Sequence, residues 1–141
     1  MINIPRLDSK DARTLIEAAS KKANTMGIPM CIAVTDDSGN LISFERMDGG
    51  KAHSILISQD KAYTAGASRK ASHEYNAVNT PGSLAFGIDT ECGGRLSTVG
   101  GGIPIFVNDY CVGGIGASGG TPKQDIEVVE AAVELFLSTV K

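Results

Sequence analysis

Apolar residues recur at helical spacing at both ends of this chain and fall into short strand-length runs between them. Over residues 9–26, Ala12, Leu15, Ile16, Ala19, Ala23 and Met26 share one face of a 3.6-residue period. Asp8 or Ser9 is placed to cap this predicted helix, and Gly27 to stop it. Two runs follow, 30–34 and 41–46, on either side of Asp36-Asp37-Ser38-Gly39-Asn40, which predicts a β-hairpin. Met47-Asp48-Gly49-Gly50 ends the second strand. A second helix is predicted over roughly 54–69 with Ser54 as its cap. Ile55, Ala62 and Gly66 lie along one side, Gln59 interrupts them, and the small residues Ala62, Ala65, Gly66 and Ala67 predict close packing against a sheet or another helix.

Residues 71–95 show no clear period. Asn79-Thr80-Pro81-Gly82 reads as a turn, and 84–88 as a short strand or a 3₁₀ piece. Residues 103–107 read as a strand whose Pro104 predicts either an edge strand or a first-residue position. Asn108-Asp109 turns the chain, and 110–117 returns beside it. Thr121, Pro122 and Gln124 then supply a cap, a first-turn proline and a reciprocal partner for a last helix. Its predicted buried stripe is Ile126, Val129, Val133, Phe136 and Val140, with Glu127, Glu130 and Glu134 in water. Helices interleaved with antiparallel hairpins predict one α+β domain over 1–141, a single sheet with helices on one or both faces.

Glycine usage changes this picture. Eleven of the seventeen glycines lie within 87–120, where an ordinary domain of this size carries roughly ten in all. Glycine is kept where φ is positive or where backbone must approach closely. The blocks G-G-R, V-G-G-G-I-P-I and C-V-G-G-I-G-A-S-G-G therefore predict a backbone-lined concavity, either a small-ligand site or a tight subunit contact. A dinucleotide loop does not fit, because these glycines begin inside a strand rather than after it, and no Lys-Ser/Thr pair completes a P-loop. Ser118, Gly119, Gly120 and Thr121 open the last helix, where free N–H groups can hold a carboxylate or phosphate. Arg46 and Lys61 are the candidate cations for the same ligand.

A net charge of −3, a pI near 5.3 and the absence of any basic run argue against nucleic-acid binding. Three well-separated cysteines, Cys31, Cys92 and Cys111, point to a reducing compartment. The first residues lack the apolar core of a signal peptide, and no run reaches membrane-spanning length; the expectation is a cytoplasmic protein without a membrane partner. His53 and His73 are the only histidines, and no CxxC or HExxH spacing marks a metal site. A single axial histidine on haem iron needs no spacing, so haem stays open. Cys92, in E-C-G-G-R with Arg95 close by, is the candidate reactive thiol, and a general acid or base could be drawn from His53, Glu74, Asp89 or Glu91, with no pair fixed by spacing. Cys31 and Cys111 sit in apolar runs and read as core.

Four ordered motifs carry a family resemblance: C-I-A-V-T-D-D-S-G-N-L-I-S-F-E-R-M-D-G-G at 31–50, S-I-L-I-S-Q-D-K-A-Y-T-A at 54–65, G-G-G-I-P-I at 100–105 and V-G-G-I-G-A-S-G-G-T-P-K-Q-D at 112–125. The chain resembles the GlcG-like, or haem-degrading, domain family. That family includes small proteins of diol, glycerol or glycolate utilisation and the C-terminal domain of a corrinoid adenosyltransferase. The resemblance implies a profilin-like antiparallel sheet flanked by helices in three layers. It also implies homo-oligomers, octamers among them, and haem binding in some members. At this length no attached adenosyltransferase domain is expected. The expected function is a small-ligand-binding accessory protein, related to haem or corrinoid chemistry or to a small acidic metabolite. Two alternatives stand beside it: an enzyme on a hydroxy acid or aldehyde using His53 or Cys92, and a purely structural oligomer.

Overall fold

In the computed structural model, which describes residues 1–140, the chain forms α1 (Ser9–Thr25), β1 (Cys31–Asp36), β2 (Leu41–Arg46), α2 (Ser54–Ser68), β3 (Gly102–Val107), β4 (Tyr110–Ser118) and α3 (Pro122–Thr139). Three short 3₁₀ turns at Ser72–Tyr75, Ile88–Thr90 and Cys92–Gly94 punctuate the long connection from α2 to β3. No strand forms at 84–88. The strands pair antiparallel in the order β2-β1-β4-β3. Pro104 therefore lies on an edge strand, as its missing N–H requires. Asp8 caps α1 reciprocally with Asp11, and Thr121 caps α3 reciprocally with Gln124.

Alternation along the strands divides the sheet into two unlike faces. Ile32, Val34, Ile105, Ile115 and Ala117 face α1 and α3, where Leu15, Ile16, Val128, Val129 and Phe136 complete an aliphatic core. On the opposite face, Ala33, Thr35, Gly102, Gly114 and Gly116 lie under α2. This is an α+β fold, a four-stranded antiparallel sheet flanked by three helices.

The glycines of β3 and β4 have a different use from the expected concavity. A Cβ on Gly116 would lie 2.3 Å from the Ser58 carbonyl oxygen, and one on Gly114 2.5 Å from the Gly66 nitrogen. A Cβ on Gly102 would lie 2.3 Å from the Lys61 carbonyl oxygen. The strands are bare so that α2 can rest directly on the sheet backbone. Gly66 answers from the helix, where a Cβ would meet Thr35 Oγ1 at 2.5 Å.

Two helical expectations need correction. Ser54 is the first residue of α2, not its cap; His53 holds the cap position without a side-chain bond, and the Ser54 hydroxyl accepts from Ser118 Oγ at 3.0 Å. In α3 the buried stripe is Asp125, Val128, Val129, Ala132, Val133 and Phe136, so Ile126 is half-buried and Val140 exposed. A charged residue takes the first core-facing position, which displaces the stripe from its apolar outline.

Candidate functional site

Lys61 sits in mid-helix on the face of α2 turned toward the sheet, and it is only 1% exposed. Its Nζ donates to the Ala117 carbonyl oxygen at 3.0 Å and to Asp125 Oδ2 at 3.0 Å. Asp125, 2% exposed in the first turn of α3, accepts the Gly120 N–H on its other oxygen at 2.9 Å. One ion pair thus ties α2, the end of β4 and the start of α3 together. Burial pulls the Lys61 ammonium below its ordinary range, and the Asp125 charge only partly offsets that. Burial likewise pushes the Asp125 carboxyl up, against the attraction of Lys61 and the Gly120 amide.

Above this pair lies a cavity of about 310 Å³, lined among others by Ile57, Lys61, Arg95, Val99, Ser118 and Asp125. The Lys61 and Asp125 side chains, 2% and 3% exposed, form its floor, and Arg95, 45% exposed, stands at its rim. Arg95 Nε donates to Asp60 Oδ1 at 3.0 Å, and the guanidinium lies 4.1 Å from the centroid of the Tyr63 ring. Among the described residues its terminal amino groups have no protein partner, so the fork remains available to a carboxylate.

The structure gathers some of the sequence-predicted residues and separates others. Lys61, Ser118 and Gly120 line this cavity. Arg46 does not; it lines a separate hollow with Glu17, Lys21 and Asp48, and its Nε donates to the Gly50 carbonyl oxygen at 3.0 Å. The anion seat expected at 118–121 is filled from within, because Asp125 takes the Gly120 amide and Gln124 Oε1 takes the Thr121 amide at 2.9 Å. Ser118 is engaged with Ser54, and at Gly119 a Cβ would meet the Pro29 carbonyl oxygen at 2.6 Å, so its bareness serves packing. Lys61 already has a carboxylate partner of its own, so it is not a spare cation.

His53 and His73 are exposed, and neither lines the cavity. Cys92 is exposed, with φ +53°, beside Tyr63. The Tyr63 phenol is pushed up by the neighbouring Cys92 thiol and by partial burial, with Arg95 pulling the other way. Cys31 and Cys111 are buried, and burial pushes both thiols up. Arg95 was legible only as a neighbour of Cys92. Its position over the cavity depends on a glycine-rich loop with no periodicity, and Asp125 entered only as the last residue of the 112–125 motif.

Residues 7–134 match the family model described as the haem degrading protein HbpS-like. The chain belongs to this family. It is 34% identical over 125 residues to an uncharacterized 15.0 kDa protein in the dhaT-dhaS intergenic region of Citrobacter freundii, covering 89% of this chain and 88% of that one. It is 30% identical over 127 residues to the corrinoid adenosyltransferase PduO of Salmonella typhimurium, covering 90% of this chain but only 38% of that protein. Among solved structures, Klebsiella pneumoniae protein ORFY superposes with a TM-score of 0.95 at 28% identity, covering 100% of this chain and 97% of that one. A PduOC:Heme complex superposes with a TM-score of 0.87 at 29% identity, covering 92% and 94%.

Proposed function

We propose that this domain is a small-ligand-binding accessory domain whose cavity takes a compact, carboxylate-bearing molecule. The observation that carries this reading is Arg95, a cation with uncommitted donors at the rim of a cavity of about 310 Å³. That volume is at the lower end of the usual range for small-molecule sites, roughly 300–1,000 Å³. Ile57 and Val99 supply an apolar wall, and Ser118 a hydroxyl. A four-stranded antiparallel sheet between helices supports reading the architecture as profilin-like, as the family resemblance implies.

Calorimetric titration with lactate is expected to show saturable binding. Arg95→Ala is expected to weaken it about tenfold or more, since a hydrogen bond to a charged group contributes about 1.5–3 kcal/mol and each 1.4 kcal/mol is tenfold. Arg46→Ala, in the other hollow, is expected to leave it nearly unchanged. Absence of saturation, or equal loss in both variants, would argue against this site.

Haem is a second reading, favoured by the haem complex of the PduOC relative. Haem iron is held by His, Cys, Met or Tyr side chains, and the residues lining this cavity include none of them. The cavity therefore does not fit an iron-ligated haem, and that reading rests on the exposed His53 or His73. A saturable Soret shift with haemin, lost in His53→Ala or His73→Ala, supports it. A spectrum equal to the sum of free haemin and protein removes it.

A further inference from the structure

Charge around the cavity beneath Arg95 is arranged in pairs. Among the described residues, four ionisable side chains line it: Asp60, Lys61, Arg95 and Asp125. Lys61 and Asp125 meet at 3.0 Å on the floor, and the lysine spends a second donor on the Ala117 carbonyl oxygen. Arg95 meets Asp60 at 3.0 Å at the rim, where the two side chains are 45% and 32% exposed. Each pair sums to zero, so the lining as a whole carries no net charge. An incoming anion therefore finds one cation with donors to spare, Arg95, and two carboxylates. A single negative charge is matched by the open fork of the guanidinium. A second has no cation of its own, and it shares a small volume with Asp60 and Asp125. Taking charge out of water is costly unless the charge is paired, and the cost rises with the square of the charge. Arg95 is not free to follow a second charge: its Nε is held by Asp60, and the guanidinium lies 4.1 Å from the centroid of the Tyr63 ring. The rest of the wall offers Ile57, Val99 and Pro122, which solvate no anion.

We propose that the cavity selects small monocarboxylic acids against ligands with a second acidic group, and that Asp60 is the residue that sets this choice. This rests on the carboxylate-binding reading of the cavity and adds the charge class of the ligand to it. Asp60 has two effects. By accepting the Arg95 Nε–H it leaves the terminal amino groups of the guanidinium for the ligand. By its own charge it cancels the surplus that an unpaired arginine would bring, a surplus that would attract dianions. Asp125 is less suited to that task, because Lys61 and the Gly120 N–H both hold its charge. Among the described residues the Asp60 carboxylate has only Arg95. A bound monoanion shares Arg95 with Asp60; a dianion adds a charge that nothing in the lining balances.

The test is calorimetric titration of the unaltered protein with three acids. Lactate is the first. Malate replaces one hydrogen of the lactate methyl by a carboxylate, and its 4-methyl ester keeps the longer tail but loses the second charge. Lactate and the ester are expected to saturate, and malate to bind about tenfold or more weakly than the ester. The ester is the larger molecule, so size cannot produce that order. Asp60→Asn is expected to narrow the gap between malate and the ester by about threefold or more. Reading the ratio within one variant removes any general loss of binding. Malate within about threefold of the ester in the unaltered protein overturns the charge selection and leaves the carboxylate reading standing. Binding of lactate alone does the same, since length and not charge then sets the limit. A gap that Asp60→Asn leaves unchanged overturns the assignment to Asp60. The ester comparison needs no variant, so it decides the charge selection even where Asp60→Asn does not fold. No saturation with any of the three removes both readings.

Discussion

Replacing Lys61 with Met is expected to destabilise the domain by about 3–5 kcal/mol, the usual cost of removing one partner from a buried ion pair. The orphaned Asp125 would keep only the Gly120 N–H, and the Ala117 carbonyl oxygen would lose its lysine donor. Asp125→Asn in the Lys61→Met background is expected to recover part of the loss. The amide oxygen can still accept from Gly120, while the buried charge is gone. Urea unfolding of the two variants against the parent measures both effects. A loss below about 1 kcal/mol for Lys61→Met would mean that the pair is solvated in solution and not the tie between three elements described above.

The second large effect is expected at Gly116. An alanine methyl there would stand 2.3 Å from the Ser58 carbonyl oxygen and 2.5 Å from the Ala62 nitrogen. Both are backbone atoms of α2, so no side chain can turn aside and the helix itself must lift. Overpacking commonly costs about 1–3 kcal/mol, and Gly116→Ala is expected at the top of that range or above it. Gly82→Ala is the control. Gly82 has φ +92° and nothing near its missing Cβ, so only the backbone conformation opposes a side chain, at about 1 kcal/mol. Thermal unfolding of the two variants separates close packing from conformational preference. Equal losses would remove the argument that α2 rests on bare strands.

The outer helices and both hairpins were legible because their signals are local. The Asp8 and Thr121 caps, the Gly39 turn and the apolar period of α1 each act within a few residues. Helix α2 was less legible, and its packing explains why. Ser58, Lys61 and Thr64 point into the fold, so polar residues occupy the buried side and blur the helical period. They are buried because the facing surface offers backbone carbonyls rather than apolar side chains. Thr35 Oγ1 donates to the Ala62 carbonyl oxygen at 3.1 Å, and Lys61 to that of Ala117.

The candidate site was half legible for the same reason. Lys61, Ser118 and Gly120 were singled out as residue types, but their partners depend on contacts made across the fold. Asp125 is only five residues beyond Gly120, yet no spacing rule says that its carboxylate turns back to take that amide. Arg46 looked equivalent to Lys61 as a cation. It ends β2, on the outer edge of the sheet, and its guanidinium is turned back on Gly50. Arg95 lies in a connection with three 3₁₀ turns, where neither helical nor strand periodicity operates.

The unlike faces of the sheet set two different rules for sequence change. Beneath α1 and α3, aliphatic side chains of similar volume can be exchanged and repacked with modest loss, so that layer tolerates drift. Beneath α2, where Gly102, Gly114 and Gly116 meet the helix, there is no volume to trade: the contact there is backbone on backbone, and an added carbon is an obstruction. Divergence is therefore channelled into one half of the interior, while the half beside the cavity is free to change only where α2 does not touch the strands.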